Sequence, residues 1–410
     1  MTSAPLQPLR QAVPADTERR PDHYIVEGRT PAIAFAPGDR FQVAALLRAA
    51  SDAGLVAVPQ GGRTAIGFGR PLEGYDLALD LRGMHRVTEY VPDDLTVTAE
   101  AGLSLGELQQ TLGEHGQYLP VDPPPDDHVA VGGMLATART GAWRGHLGSP
   151  RDHLLGVEVA LPSGALARSG GRVVKNVTGY DLHRMHTGAL GAFGVIVEAS
   201  FKIAPRPAAT RTLAASAADL NEATRVARTA WDASLATRAL TLLGSAAAAH
   251  LGLPSRPTVL IELAGSEAAV DRSAREFEAL SGRTEEPTGE IWKRLRELHG
   301  DATVPVARLG VPPSLVADIV ASAEGAGGRA WGHLAAGAVI IHGDLPVEAL
   351  RRLRATAEER QGFLQLEQAS VALRQEFAPA QPGDGDLVRA LRDRFDLKRT
   401  INRGRWGTGL

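Results

Sequence analysis

Two short glycine runs carry residues whose types and spacing could hold a phosphorylated ligand. The first reads Pro59-Gln60-Gly61-Gly62-Arg63-Thr64-Ala65-Ile66-Gly67 and follows an apolar stretch, residues 55–58, that suits a strand. A strand running into a proline and paired glycines makes a turn whose successive N–H groups form an anion-binding nest. Thr64 adds a hydroxyl donor and Arg63 a positive charge. The second run, Val131-Gly132-Gly133, comes after Pro123-Pro124-Pro125, which forbid helix and impose an extended approach. Small and apolar residues through Ala138 then open a helix, where glycine lets a ligand approach unpaired backbone amides. Phosphate or pyrophosphate is the usual guest of such an opening. Taken alone, Gly-Gly before a helix is more often a plain turn. Two cradles on one domain suit a dinucleotide better than a lone phosphate.

Other glycine patterns are weaker. The pattern G-x-G-x-x-A occurs at Gly325, Gly327 and Ala330. It follows a helical segment and leads to a strand, the reverse of what a dinucleotide fold of the Rossmann type requires. No Gly-Lys-Ser/Thr is present, which excludes a P-loop. Gly188, Gly191 and Gly194 recur every three residues and fit either close contact with a ligand or a turn into a strand.

Several elements must position these runs. Asp39 is placed as an N-cap with Gln42 at the reciprocal position, and Phe41, Ala45, Leu46 and Ala49 give helical spacing up to Gly54. Residues 76–81, Asp-Leu-Ala-Leu-Asp-Leu, alternate with period two and predict a half-buried strand. Residues 87–91 and 95–101 read as paired strands about the turn Pro92-Asp93-Asp94. Ser104 and Glu107 form a capping box for a helix bearing Leu105, Leu108 and Leu112. Residues 154–161 and 165–168 flank Ser163-Gly164 as a hairpin, residues 194–203 form a last strand, and Pro205 and Pro207 mark a boundary. From about Arg211, alanine-rich helical segments alternate with short apolar runs, as expected of a small α+β domain. Residues 1–21, with four prolines and little periodicity, read as a flexible leader.

Composition narrows the function. The chain has 410 residues, 44% hydrophobic and 22% charged, with a formal net charge of −3. That is a globular composition long enough for two domains, without the basic excess that nucleic acid or an anionic membrane would ask for. There is no cysteine, so disulfides, iron–sulfur clusters and thiolate metal sites are excluded within the chain. No apolar run is long enough to span a bilayer, and no secretory signal is expected from residues 1–20. A cytoplasmic protein is expected, with membrane docking open only through partners.

Six segments together resemble the flavin domain of the vanillyl-alcohol-oxidase (PCMH) type of FAD enzymes, and within it the smaller FAD-binding subunit of glycolate oxidase. They are Pro59-Gln60-Gly61-Gly62, Asp122-Pro123-Pro124, Val131-Gly132-Gly133-Met134, Ser149-Pro150-Arg151-Asp152, residues 174–181 (VKNVTGYD) and Gly191-Ala192-Phe193-Gly194-Val195-Ile196. Their order and spacing fit over residues 31–207. The resemblance implies an α+β architecture: a two-subdomain PCMH-type FAD-binding domain (22–207), a smaller α+β cap domain (208–376) and a C-terminal tail (377–410) that returns to the FAD domain. It implies FAD contacts from Pro59, Gly61, Gly62, Arg63, Thr64 and Ala65, and from Val131, Gly132, Gly133, Ala136, Thr137, Gly141, Arg144 and Gly145. Gly194, Val195, Ile196 and Asn402 complete the set, with Arg405 beside Asn402. Arg144 fits either a charge on the cofactor or a plain surface arginine. Lys175 fits either the cofactor or a pair with Asp181. Relatives that link flavin covalently do so through a histidine in the first loop. None stands there, so non-covalent FAD is expected.

By the same resemblance, the larger catalytic subunit and its D-lactate dehydrogenase relatives carry His-x-Gly-Asp-Gly-Asn-x-His and a later Glu-His-Gly in the cap. Imidazoles and a carboxylate can bind a metal that grips a 2-hydroxy acid, and a histidine can take the hydroxyl proton. This chain has Trp331-Gly332-His333-Leu334-Ala335-Ala336-Gly337, with Ile340 at the second histidine's place. The ligand set is incomplete, so no metal is assigned. His333 is the candidate base, against the plainer reading of a strand-end histidine. The function implied is an FAD-binding oxidoreductase subunit supporting oxidation of glycolate or a related small 2-hydroxy acid, partnered by a larger flavin subunit and an iron–sulfur subunit. The alternatives are an FAD-holding interaction subunit without turnover, and a stand-alone flavin oxidase of an alcohol or sugar.

Overall fold

A computed structural model describes residues 6–125, 127–173, 180–287, 290–378 and 385–406. The first domain holds two sheets. In the first, Glu18–Arg19, Ile33–Phe35, Leu77–Asp80 and Ala57–Gln60 lie side by side in that order. The last three run parallel, which requires crossovers. One is the helix Arg40–Asp52, started by Asp39, whose carboxylate accepts from the amides of Phe41 and Gln42. Val43, Ala44, Leu46, Leu47 and Ala50 form its buried stripe. Parallel strands are covered on both faces, so Leu77–Asp80 is wholly buried; the half-buried strand expected from period-two alternation is corrected. Asp80 tolerates burial because Tyr24 Oη donates to it at 2.8 Å and Arg82 pairs with it.

The second sheet is antiparallel, in the order Val87–Val91, Thr96–Glu100, Val195–Lys202, Leu154–Ala160, Leu166–Gly170. One face supplies Val97, Ala99, Val157, Val159, Val197 and Phe201 to the core. The other carries Glu158 and Glu198, ringed by Arg40, Arg168 and Arg172. The capping box Ser104/Glu107 forms as expected, and the helix Leu105–Gly113 buries Leu105, Leu108 and Leu112. The expectation of a flexible leader is corrected for residues 6–21. A helix forms at Gln7–Ala12, and Leu9 and Val13 join the first domain's core.

The cap is one seven-stranded antiparallel sheet, ordered Ala209–Ser216, Thr258–Gly265, Thr237–Leu243, Arg329–His333, Ala338–His342, Val306–Gly310, Phe363–Gln368. Helices Leu220–Asp232, Glu267–Ser281, Val316–Gly325 and Val347–Glu358 cover one face. The opposite face gathers Leu243, Leu260, Trp331 and Ile340 against Trp292 and Leu295 of the helix Ile291–Gly300, and against Ala142 of the first domain. After the helix Gly385–Phe395 the tail comes back to the first sheet. Ile401 bridges Ala57 in parallel, Ala57 N donates to Thr400 O and Asn402 N to Ala57 O.

If residues 6–21 are part of the core, Leu9→Ala should lower stability by about 2–4 kcal/mol, the usual cost of a buried leucine truncation, and depress the melting temperature in a thermal scan. A melting point unchanged from wild type would mean that this segment is not docked.

Candidate functional site

The two glycine runs line one cleft. The first loop contributes Pro59, Gly61, Gly62, Arg63, Thr64 and Ala65; the second segment contributes Pro123, Pro124, Ala130, Gly133, Ala136, Thr137 and Arg139; Leu190, Asn402 and Arg405 close it. The loops touch at backbone distance. A Cβ on Gly61 would lie 2.5 Å from Ala130 Cβ, and one on Gly62 only 1.7 Å from the His128 carbonyl oxygen. Arg63 turns the first loop through φ +61°. Among the described residues, the amides of Gly61, Gly62, Arg63, Thr64 and Ala65 donate to no protein acceptor, nor does that of Gly133. A Cβ on Gly133 would meet nothing within 4 Å, so this residue leaves its amide approachable. A run of amides without protein partners around a concave wall is a cradle for anionic oxygens.

Not every expected contact faces the cleft. Val131 N donates to Leu103 O and Gly132 N to Ala101 O, so these two anchor the second loop to the domain and leave the Gly133 amide without a protein acceptor. The Arg63 guanidinium is turned to the carbonyls of His23 and Ile25 at 2.7 Å each, where it props the loop. Gly141 lies behind the wall: its amide donates to Asp122, and a Cβ there would sit 2.5 Å from that carboxylate. Arg144 and Gly145, in the short helix Arg144–Leu147, meet the cap instead, with a Gly145 Cβ 2.3 Å from Ala335 Cβ. Gly194, Val195 and Ile196 are buried at the start of their strand and do not line the cleft. Asn402 does, its Nδ2 donating to Leu190 O at 2.7 Å. Lys175 and the rest of residues 174–179 lie outside the described residues.

His333 is corrected as a base. It is buried at the end of its strand, and Nδ1 is 2.9 Å from Thr241 Oγ1. Burial pushes its pKa down to about 3, and it does not line the cleft. His342, one strand over, pairs with Asp301 at 2.9 Å.

The groups that join cleft to cap leave no local signal in the sequence. Arg139 lines the cleft and is almost sealed from solvent. Its Nε donates to Glu367 Oε2 at 2.7 Å, Nη1 to Pro124 O at 3.1 Å and Nη2 to His299 O at 3.2 Å. His299 Nε2 is 3.0 Å from the same Glu367 oxygen, and Arg308 Nε lies 2.9 Å from Oε1. Burial alone would raise the Glu367 carboxyl; Arg139, His299 and Arg308 outweigh it and hold it well below the usual range. Burial lowers the His299 imidazole, against the pull of Glu367. Arg139 and Glu367 are 228 residues apart, so no local pattern announces them. Asp122 was legible only as part of a motif. Fully buried, it accepts from Gly141 N at 3.2 Å and Trp143 N at 3.0 Å. Trp143 Nε1 in turn donates to Glu262 of the cap at 2.8 Å.

Residues 31–170 match the family model described as FAD binding domain. Glycolate oxidase subunit GlcE of Escherichia coli (strain K12) is 35% identical over 242 residues, covering 58% of this chain and 63% of the relative. Glycolate oxidase subunit GlcD of Bacillus subtilis (strain 168) is 30% identical over 260 residues, 61% and 55% respectively. The chain thus spans less than two thirds of the length of these curated relatives. Among solved structures, p-cresol methylhydroxylase with substrate bound superposes with TM-score 0.78 at 14% identity, covering 99% of this chain and 96% of that one. An alkyldihydroxyacetonephosphate synthase gives 0.73 at 15% identity, covering 98% and 85%. The fold is therefore that of PCMH-type flavoproteins, and the unpartnered amides around one cleft fit the diphosphate of FAD.

Gly62→Ala should part the two loops and abolish retention of FAD through gel filtration. Gly38→Ala, where a Cβ meets nothing within 4 Å, should leave it intact; equal retention by both variants would refute the cradle. A second expectation concerns pH. Burial pushes the Asp122 carboxyl up to about 7, above its unfolded value of about 4. Between those values the folded chain keeps a proton that the unfolded chain has released, so stability falls as pH rises through the window. Asp122→Asn should flatten that slope in melting temperature against pH; parallel slopes would show that the carboxyl ionises at its ordinary value.

Proposed function

We propose that this chain, whose residues 31–170 match the family model of FAD binding domains, is the FAD-binding subunit of an oxidoreductase acting on glycolate or a related 2-hydroxy acid. The observation that carries the reading is the convergence of the Gly61–Gly62 loop and Gly133 on one cleft with their amides unspent. The amides of residues 61–65 and of Gly133 would hold the diphosphate as hydrogen-bond donors. Asn402 keeps the Leu190 turn against the cleft. The cap sheet, pinned through Glu367 and Glu262, shuts water away from the wall formed by Pro123 and Pro124. Bound FAD would supply a two-electron acceptor for hydride from the hydroxyl-bearing carbon. No histidine lines the cleft among the described residues and the chain has no cysteine, which supports non-covalent attachment.

The relatives named as glycolate oxidase subunits support the substrate class and a multi-subunit setting, in which a larger flavin subunit and an iron–sulfur subunit would carry electrons onward. No helix of the described residues is long and apolar enough to cross a membrane. A second reading draws on one specific feature. His333 is sealed and Glu367 is engaged by two arginines and an imidazole. With those two cap groups engaged, the reading of a chain that holds FAD for a complex and does not turn substrate over alone is favoured.

Purified chain should be yellow and release FAD on boiling. Anaerobic glycolate or D-lactate should bleach it only with the partner subunits present if the second reading holds, and without them if the chain is itself the catalyst. A colourless chain that takes up no added FAD would overturn both.

A further inference from the structure

The buried ion cluster at the domain boundary is unbalanced. Arg139 and Arg308 face a single carboxylate, Glu367, and burial disfavours a charge on the neighbouring His299. Arg144 stands close enough to disfavour further positive charge on Arg308. The Arg139 and Glu367 side chains are 5% and 0% exposed, so water cannot screen the surplus, and a charge acts over longer distances there than at a surface.

Arg139 is also the member of the cluster that lines the cleft. It lines the cleft together with Pro123 and Pro124 and donates to the Pro124 carbonyl. The free amides of the two loops account for the diphosphate, and the charge of Arg139 is left for the redox ring. Each Arg139 nitrogen already donates to a protein oxygen, so the group is fixed in place and acts chiefly as a held charge.

We infer that Arg139 is the electrostatic positioning residue of the flavin cleft, presenting net positive charge to the ring, and that Glu367 tempers that charge from the cap. The inference rests on the FAD reading above and extends it. Reduction adds negative charge to the ring, so a fixed cation favours the reduced form and a fixed anion opposes it. The ion pair therefore makes the ease of reduction depend on the cap being docked, since Glu367 belongs to the cap and Arg139 to the flavin domain.

The test is an anaerobic reductive titration of the FAD-loaded chain against a reference dye. Arg139→Met should lower the ratio of reduced to oxidised flavin at a fixed potential about tenfold, ~30 mV for a two-electron couple. Glu367→Gln should raise it by a similar factor, and Arg139→Lys should stay near wild type. Shifts of opposite sign cannot come from simple damage to the domain boundary, which would move both truncations the same way. Shifts of one sign, or flat values with FAD retained, overturn the inference and leave the flavin reading standing. Wild-type chain that takes up no FAD overturns both. Where Arg139→Met fails to fold, Glu367→Gln and Arg139→Lys decide alone: a rise in the first with none in the second supports the assignment, and any other pattern ends it.

Discussion

Two loops from different parts of the first domain have to meet at backbone distance, and the rest of the molecule is arranged so that they can. The loop after Ala57–Gln60 comes off a parallel sheet, and the helix Val131–Thr137 packs beside an antiparallel one. With Gly62 so near the His128 carbonyl, no side chain can stand between them. That closeness lets two sets of amides face one cleft, and it also means that neither loop can hold its shape alone.

The supports come from every part of the chain. Val131 and Gly132 spend their amides on Leu103 and Ala101, which fixes the second loop to the antiparallel half. Glu27 serves the first loop. It pairs with Arg405 of the tail and Arg374 of the cap and accepts from the Leu72 amide. Burial would raise its carboxyl, but the two arginines and that amide hold it below the usual range. Arg405 also donates to the Ile66 and Arg70 carbonyls, so the last described turn of the chain props the loop that follows the first cradle. The tail is thereby structural to the cleft, in keeping with the parallel bridge from Ile401 to Ala57.

What could be read in advance was what depends on neighbours in sequence. The Asp39 cap, the Ser104/Glu107 box, the hairpin about Ser163-Gly164 and the two glycine runs each state their geometry within a few residues. Expectations failed where distant partners decide. Residues 6–21 look featureless until Leu9 meets the core, and Leu77–Asp80 alternates until it becomes an inner parallel strand. His333 looks like a base until Thr241, 92 residues away, takes its ring nitrogen. Arg144 was noticed because it sits beside a motif, yet Arg139, five residues earlier, is the arginine that reaches the cleft. Only the fold of the chain distinguishes them: Arg139 is buried and lines the cleft, whereas Arg144 is exposed and does not line it.

A buried ion pair is a poor choice for stability alone. Desolvating Arg139 and Glu367 costs much of what their attraction returns, and apolar residues of similar size would often hold such a boundary as well. The neighbouring contact shows that alternative, where Ala142 packs on the apolar face of the cap sheet with Leu243 and Trp331. Charge persists next to it with three hydrogen bonds from one guanidinium, two of them to backbone carbonyls on opposite sides of the boundary. A carbonyl at Pro124 and another at His299 can be satisfied together only when cap and flavin domain are in one relative placement. The pair therefore specifies that placement where apolar packing would tolerate small slips, and it does so at the wall where a bound ring would feel any change in charge.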